Sequence, residues 1–149
     1  MPQYLSNELA GTTTGTTTAA ATGYRPAASV YGARLKRLRA SVTLASQTTS
    51  DTILLGTLPT GATFAFGVLV ASATLGSSTV AVGVNGTAGK YRAAATFTSA
   101  DTPTFFGTAA TVSAATPLAA EENVIATIAA ANLPSSGTLV VDLYYSMPS

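Results

Sequence analysis

The sequence predicts an all-β fold: a single β-sandwich or jelly-roll-like domain of about eight antiparallel strands, preceded by an extended N-terminal arm. Three observations lead there. Residues 62–73, ATFAFGVLVASA, alternate strictly, with Phe64, Phe66, Val68 and Val70 on one side and Thr63, Ala65, Gly67 and Leu69 on the other. Such alternation marks a strand with one heavily buried face, and that face needs a second layer to cover it. Similar runs recur from residue 40 to 146, parted by turns rich in Gly, Pro, Ser and Asn, as expected of a sandwich rather than an α/β fold. Residues 1–33 lack this pattern, so the domain is placed at 34–149.

Residues 11–23 of the arm, GTTTGTTTAAATG, are a low-complexity tract. It buries too little apolar surface to offset the entropy of ordering it. It is therefore disordered alone, or laid down extended on a partner, because Thr favours extended backbone. Tyr4, Leu5 and Leu9 before the tract, and Tyr24, Arg25 and Pro26 after it, are candidate anchors.

Residues 34–39, RLKRLR, hold Arg34, Lys36, Arg37 and Arg39, four of the seven Lys and Arg in the chain. As a strand, the segment puts Arg34, Lys36 and Leu38 on one side and Leu35, Arg37 and Arg39 on the other. As a helix, it brings Leu35 and Leu38 together. Docking to an acidic protein surface is the functional reading. The bland reading is an edge strand whose basic side chains deter unwanted pairing. Nucleic acid is disfavoured, because no aromatic residues interleave with the basic ones.

The strands follow in order. Ala40, Val42 and Leu44 alternate with polar residues, and residues 46–51, SQTTSD, make a turn. Residues 52–55 form a short strand, and the Pro and two Gly of residues 56–61 mark a loop before the central strand. Val80, Val82 and Val84 share a face, and Asn85-Gly86 signals a type I′ hairpin. Residues 89–98 return, and residues 104–112 carry Phe105, Phe106 and Val112. Residues 119–131 contain helix formers, yet the β-branched pairs around Val124, Ile125, Thr127 and Ile128 favour a strand. In the last strand, residues 138–146, Leu139, Val141, Leu143 and Tyr145 face one way. Small residues on second faces (Ala65 and Gly67, Ala81 and Gly83) would let another subunit approach closely, or are simply a bland Ala/Thr surface.

Composition narrows the function. Charged residues make up 9%, against about 25% in a typical soluble domain, and the net charge is +1. A surface so poor in charge does little to keep copies apart, which favours life inside an assembly. There is no Cys and no His, so thiol chemistry and the usual general base and metal ligand are missing. The six acids form no calcium-loop run, and Glu121 and Glu122 point to opposite faces on a strand. No GxSxG elbow or GxxxxGK[ST] loop occurs. The expectation is a protein that is not an enzyme and uses no cofactor or metal. No run approaches the ~20 apolar residues of a membrane helix. The segment MPQYLSNELAG lacks the blocks of a signal peptide, so synthesis in a cytoplasm is expected.

The segments TILLGTLPTGATFAFGVLVAS, GKYRAAATFTSADTPTFFG and EENVIATIAAANLPSSGTLVVDLYYS resemble small virion proteins of tailed bacteriophages, of the head decoration (cement) type. The resemblance covers about residues 40–146. It implies a homo-oligomer, a trimer above all, bound to the major capsid protein outside the shell and stabilising the head. It places the chain in the virion, made in the host cytoplasm. Tail, neck and head-fibre proteins share the same texture, and a glycan- or receptor-binding jelly roll among them would need an aromatic platform. Tyr91, Tyr144 and Tyr145 are its candidates.

Overall fold

The computed structural model describes residues 13–14, 18–20, 34–113 and 116–147. Two short strands, β1 (Thr13–Thr14) and β2 (Thr18–Ala20), pair with each other. The domain then runs β3 (Arg34–Thr43), β4 (Thr52–Leu58), β5 (Thr63–Ala71), β6 (Thr79–Val84), β7 (Thr87–Thr96), β8 (Thr104–Phe106), α1 (Ala109–Ser113), β9 (Glu122–Ala129) and β10 (Thr138–Met147). These eight strands form two four-stranded sheets, ordered β3-β10-β5-β8 and β4-β9-β6-β7, and every pairing is antiparallel. Every connection between successive strands except β6 to β7 crosses from one sheet to the other. That is the order of a jelly roll.

The core lies between the sheets. Leu69 and Ala71 of β5 and Leu139, Val141 and Leu143 of β10 meet Val80 and Val82 of β6 and Val124, Ala126 and Ile128 of β9, all buried. The alternation in β9 and β10 thus reads directly as inside and outside.

The alternation in β5 does not, and its expected buried face is corrected. Pairing sets Leu139 opposite Ala71, Val141 opposite Leu69 and Leu143 opposite Gly67, so the smaller face of β5 turns inward. Phe66, Val68 and Val70 lie on the outer face, opposite Tyr144, Asp142 and Val140. The register then slips by one residue, placing Phe64 opposite Tyr145 and turning Phe64 into the core. The cause is Gly67. A Cβ there would lie 2.1 Å from Cζ of Phe106, so the ring of Phe106 fills the space that a larger β5 residue would occupy.

Gly83 behaves alike, since a Cβ there would lie 2.2 Å from the Thr87 carbonyl oxygen. Both glycines therefore serve contacts inside the molecule, not the close approach of another subunit. Two local expectations also change. Only Gly86 of the Asn85-Gly86 turn takes a left-handed φ, +81°, so the hairpin forms without the type I′ geometry. The strand expected over 104–112 ends at Phe106, because Thr108 caps a helical turn. Its Oγ1 accepts from the Thr111 N–H at 3.2 Å, and its carbonyl accepts from the Val112 N–H at 2.9 Å.

Candidate docking surface

RLKRLR is strand, not helix, and it opens β3 at the edge of its sheet. Ten register pairs tie β3 to β10 and place each basic residue. Arg37 and Arg39, opposite Tyr144 and Asp142, stand on the outer face. Arg34 and Lys36, opposite Met147 and Tyr145, stand on the other side, past the end of the core. All four are exposed.

Their roles differ. Arg39 donates from Nε and Nη2 to the two carboxylate oxygens of Asp142, at 2.8 and 2.7 Å. This fork is the strong geometry for an arginine–carboxylate pair. Asp142 is 6% exposed. The hydrogen bond from Arg39 holds its carboxyl below the usual carboxylate range, against the opposing effect of burial. The same bond raises the Arg39 guanidinium above its ordinary value. Arg39 is thus committed inside the sheet. Arg34, Lys36 and Arg37 make no ion pair among the described residues.

Sequence reasoning missed what lies beside Arg37. Cross-strand register aligns Arg37, Tyr144 and Phe66 across three strands. The rings of Phe66 and Tyr144 stack at 4.7 Å and 19°. Phe105 of β8 extends the row, 5.9 Å from Phe66, and is 72% exposed. The available signal was the double phenylalanine after Pro103, but only the pairing of β8 with β5 brings it into the row.

A second polar cluster sits elsewhere. Lys90 Nζ contacts Glu122 Oε1 at 2.5 Å, and the Tyr91 hydroxyl donates to Glu122 Oε2 at 2.7 Å. Burial, then the bond to Glu122, pushes the Tyr91 phenol well above its ordinary value. A cleft of about 370 Å³, lined largely by Phe64, Tyr91, Pro117 and Leu118, opens beside Lys90. Both oxygens of Glu122 are occupied, so the cluster is a brace and presents no free acid. The three tyrosines proposed as a glycan platform do not form one. Tyr91 is 1% exposed in the core, and Tyr144 and Tyr145 point to opposite faces of β10.

Tyr4, Leu5, Leu9, Tyr24 and Arg25 lie outside the described residues. Among the described residues, no three metal-ligating side chains gather, and no helix is long and apolar enough to cross a membrane.

No protein-family model and no curated protein matches the chain. Solved structures do. A chain in the cyanophage Pam1 capsid asymmetric unit is 22% identical, with a TM-score of 0.63, over 93% of this chain and 99% of that one. A chain in the capsid of Ralstonia phage GP4 is 22% identical, with a TM-score of 0.62, over 78% of this chain and 86% of that one. A chain in the acidic stable capsid structure of Helicobacter pylori bacteriophage KHP30 is 17% identical, with a TM-score of 0.57, over 77% and 89%. At these identities the likeness is one of fold, and the jelly roll described above is a fold found in three phage capsids.

Proposed function

We propose that this chain is a non-enzymatic structural protein of a bacteriophage virion, of the head decoration kind. It binds the major capsid protein from outside and stabilises the shell. The observation that carries the reading is the likeness of fold to chains from three phage capsids, over 93% of this chain in one case and 78% and 77% in the others. The exposed basic edge of β3, with three cations uncommitted among the described residues, supplies a means of attachment. The arm, residues 1–33, with Tyr4, Leu5, Leu9, Tyr24 and Arg25 as anchors, supplies a second grip.

The protein works as a homo-oligomer, most simply a trimer. Weak contacts from each copy then add through effective concentration rather than through new area. The chain reaches the virion surface after synthesis in the host cytoplasm.

The test is cosedimentation with shells of the virus that encodes this chain, prepared without it. The full chain should bind. A chain lacking residues 1–33 should stay folded, because the described core runs from Ala40 to Leu143, and should bind poorly. Replacing Arg34, Lys36 and Arg37 with Gln should weaken binding and flatten its salt dependence. A full chain that ignores such shells refutes the proposal.

A further inference from the structure

The two outer faces of the sandwich differ in kind. On β4, β9 and β6, the face away from the core sets Thr52, Thr127 and Ala81 in one row and Leu54, Ile125 and Gly83 in the next, with Ala81 and Gly83 themselves buried. These rows carry no charge and no aromatic ring, and their one exposed large apolar side chain is Leu54, at 63%. The outer face of β3-β10-β5-β8 instead carries Phe105, Phe66 and Tyr144 in a touching row that ends at Arg37, flanked by Val68 and Val70. Aromatic residues and Arg are the side chains that dominate binding energy at protein interfaces. Phe105, 72% exposed, is a large apolar side chain held in water by the folded chain alone.

We infer that this aromatic face is the seat on the shell, and that its occupant is a chain of a different kind: an apolar capsid surface that presents a carboxylate to Arg37. The inference rests on the proposed decoration role and deepens it by naming the face. Charge decides between the shell and a second copy. Arg39 is neutralised by Asp142, whereas Arg37 beside it is not, so the face carries net positive charge. The chain has few acids to offer in return. Of its six, Asp142 and Glu122 are in ion pairs, the Asp51 carboxylate accepts the Thr48 N–H, and Glu8 lies outside the described residues, which leaves only Asp101 and Glu121 exposed and in no ion pair among the described residues. A partner rich in carboxylates satisfies the face better than a copy of this chain does. The face of Thr52 and Leu54 then points away from the shell.

The chain has no cysteine, so one engineered thiol is unique. Phe105→Cys and, on the opposite face, Leu54→Cys would each carry a benzophenone maleimide and be irradiated on shells of the encoding virus. The label at 105 should crosslink to the major capsid protein through an acid-bearing segment, and the label at 54 should not. In parallel, Phe105→Ser and Arg37→Glu should each weaken shell binding by about tenfold or more, while Leu54→Ser leaves it unchanged. These three sites are exposed, so the substitutions leave the core intact. If the full chain binds but the Phe105 and Arg37 variants bind equally well, the face is wrong and the decoration role stands. Crosslinks at 105 that join two copies of this chain overturn the assignment of occupant. If the unmodified chain does not bind, both readings fall.

Discussion

The fit of Phe106 against Gly67 can be tested as a cycle. In Gly67→Ala the new Cβ would lie 2.1, 2.3 and 2.7 Å from three ring carbons of Phe106. Carbon atoms rest at about 3.5–4.0 Å, so the ring must retreat by roughly 1.5 Å. Overpacking of this size costs about 1–3 kcal/mol. Alanine returns roughly 0.5–1 kcal/mol by replacing glycine inside a strand. The net loss should therefore be about 1–2 kcal/mol. Phe106→Ala removes the ring and loses less than the about 3–5 kcal/mol of a fully buried phenylalanine, because Phe106 is only partly buried. With the ring gone, Gly67→Ala meets nothing and should be neutral or stabilising. The coupling is then about 1–3 kcal/mol. Urea unfolding of the four proteins, followed by circular dichroism, gives it from the midpoints at a shared slope. Losses that add within about 0.5 kcal/mol would show that the ring does not hold β5 in its register, and the explanation for the inverted face would fail.

Three further predictions follow from polar groups. Asp142 is held low, so its contribution is whole above the ordinary carboxylate range and fades as pH falls through the lowered value. Below pH ~4 the urea midpoint of the wild type should fall more steeply than that of Asp142→Asn, and parallel curves would contradict this. Tyr91 is held high, so its phenol stays protonated beyond the range of exposed tyrosines, and its contribution is whole below the ordinary phenol range and is lost as pH rises from there through the raised value. Phenolate absorbance should show a late step that Tyr91→Phe removes. Arg92, 9% exposed and in no ion pair among the described residues, donates to the carbonyls of Val80, Ala95 and Thr96. Arg92→Met leaves them unpaired and should cost about 2–3 kcal/mol, while a loss below about 1 kcal/mol would mean that water replaces the guanidinium.

What could be read from the chain depended on how local the cause was. β9 and β10 were legible because their large residues are the buried ones, Val124 and Ile128 in one and Leu139, Val141 and Leu143 in the other. β5 was misread because alternation names two faces without saying which one is buried. The decision rests on a ring 39 residues away in sequence, at Phe106 against Gly67. The helical turn after Phe106 depended on a capping threonine inside a run that otherwise looks extended. At the candidate site, the basic cluster was plain. Its division was not: the partner of Arg39 is 103 residues distant, and only the pairing of β3 with β10 brings Asp142 beside it. The aromatic row needs three strands in register before it exists at all.

The pairing of Arg34 with Met147 at one end of the β3–β10 ladder also sets how the domain bears force. A tug that separates these two residues opens the ladder like a zipper, one rung after another, and meets little resistance. A tug on Arg34 along its strand, with the sheet pinned by its broad face, loads all ten rungs together. The ladder therefore resists a lengthwise stretch and yields when peeled.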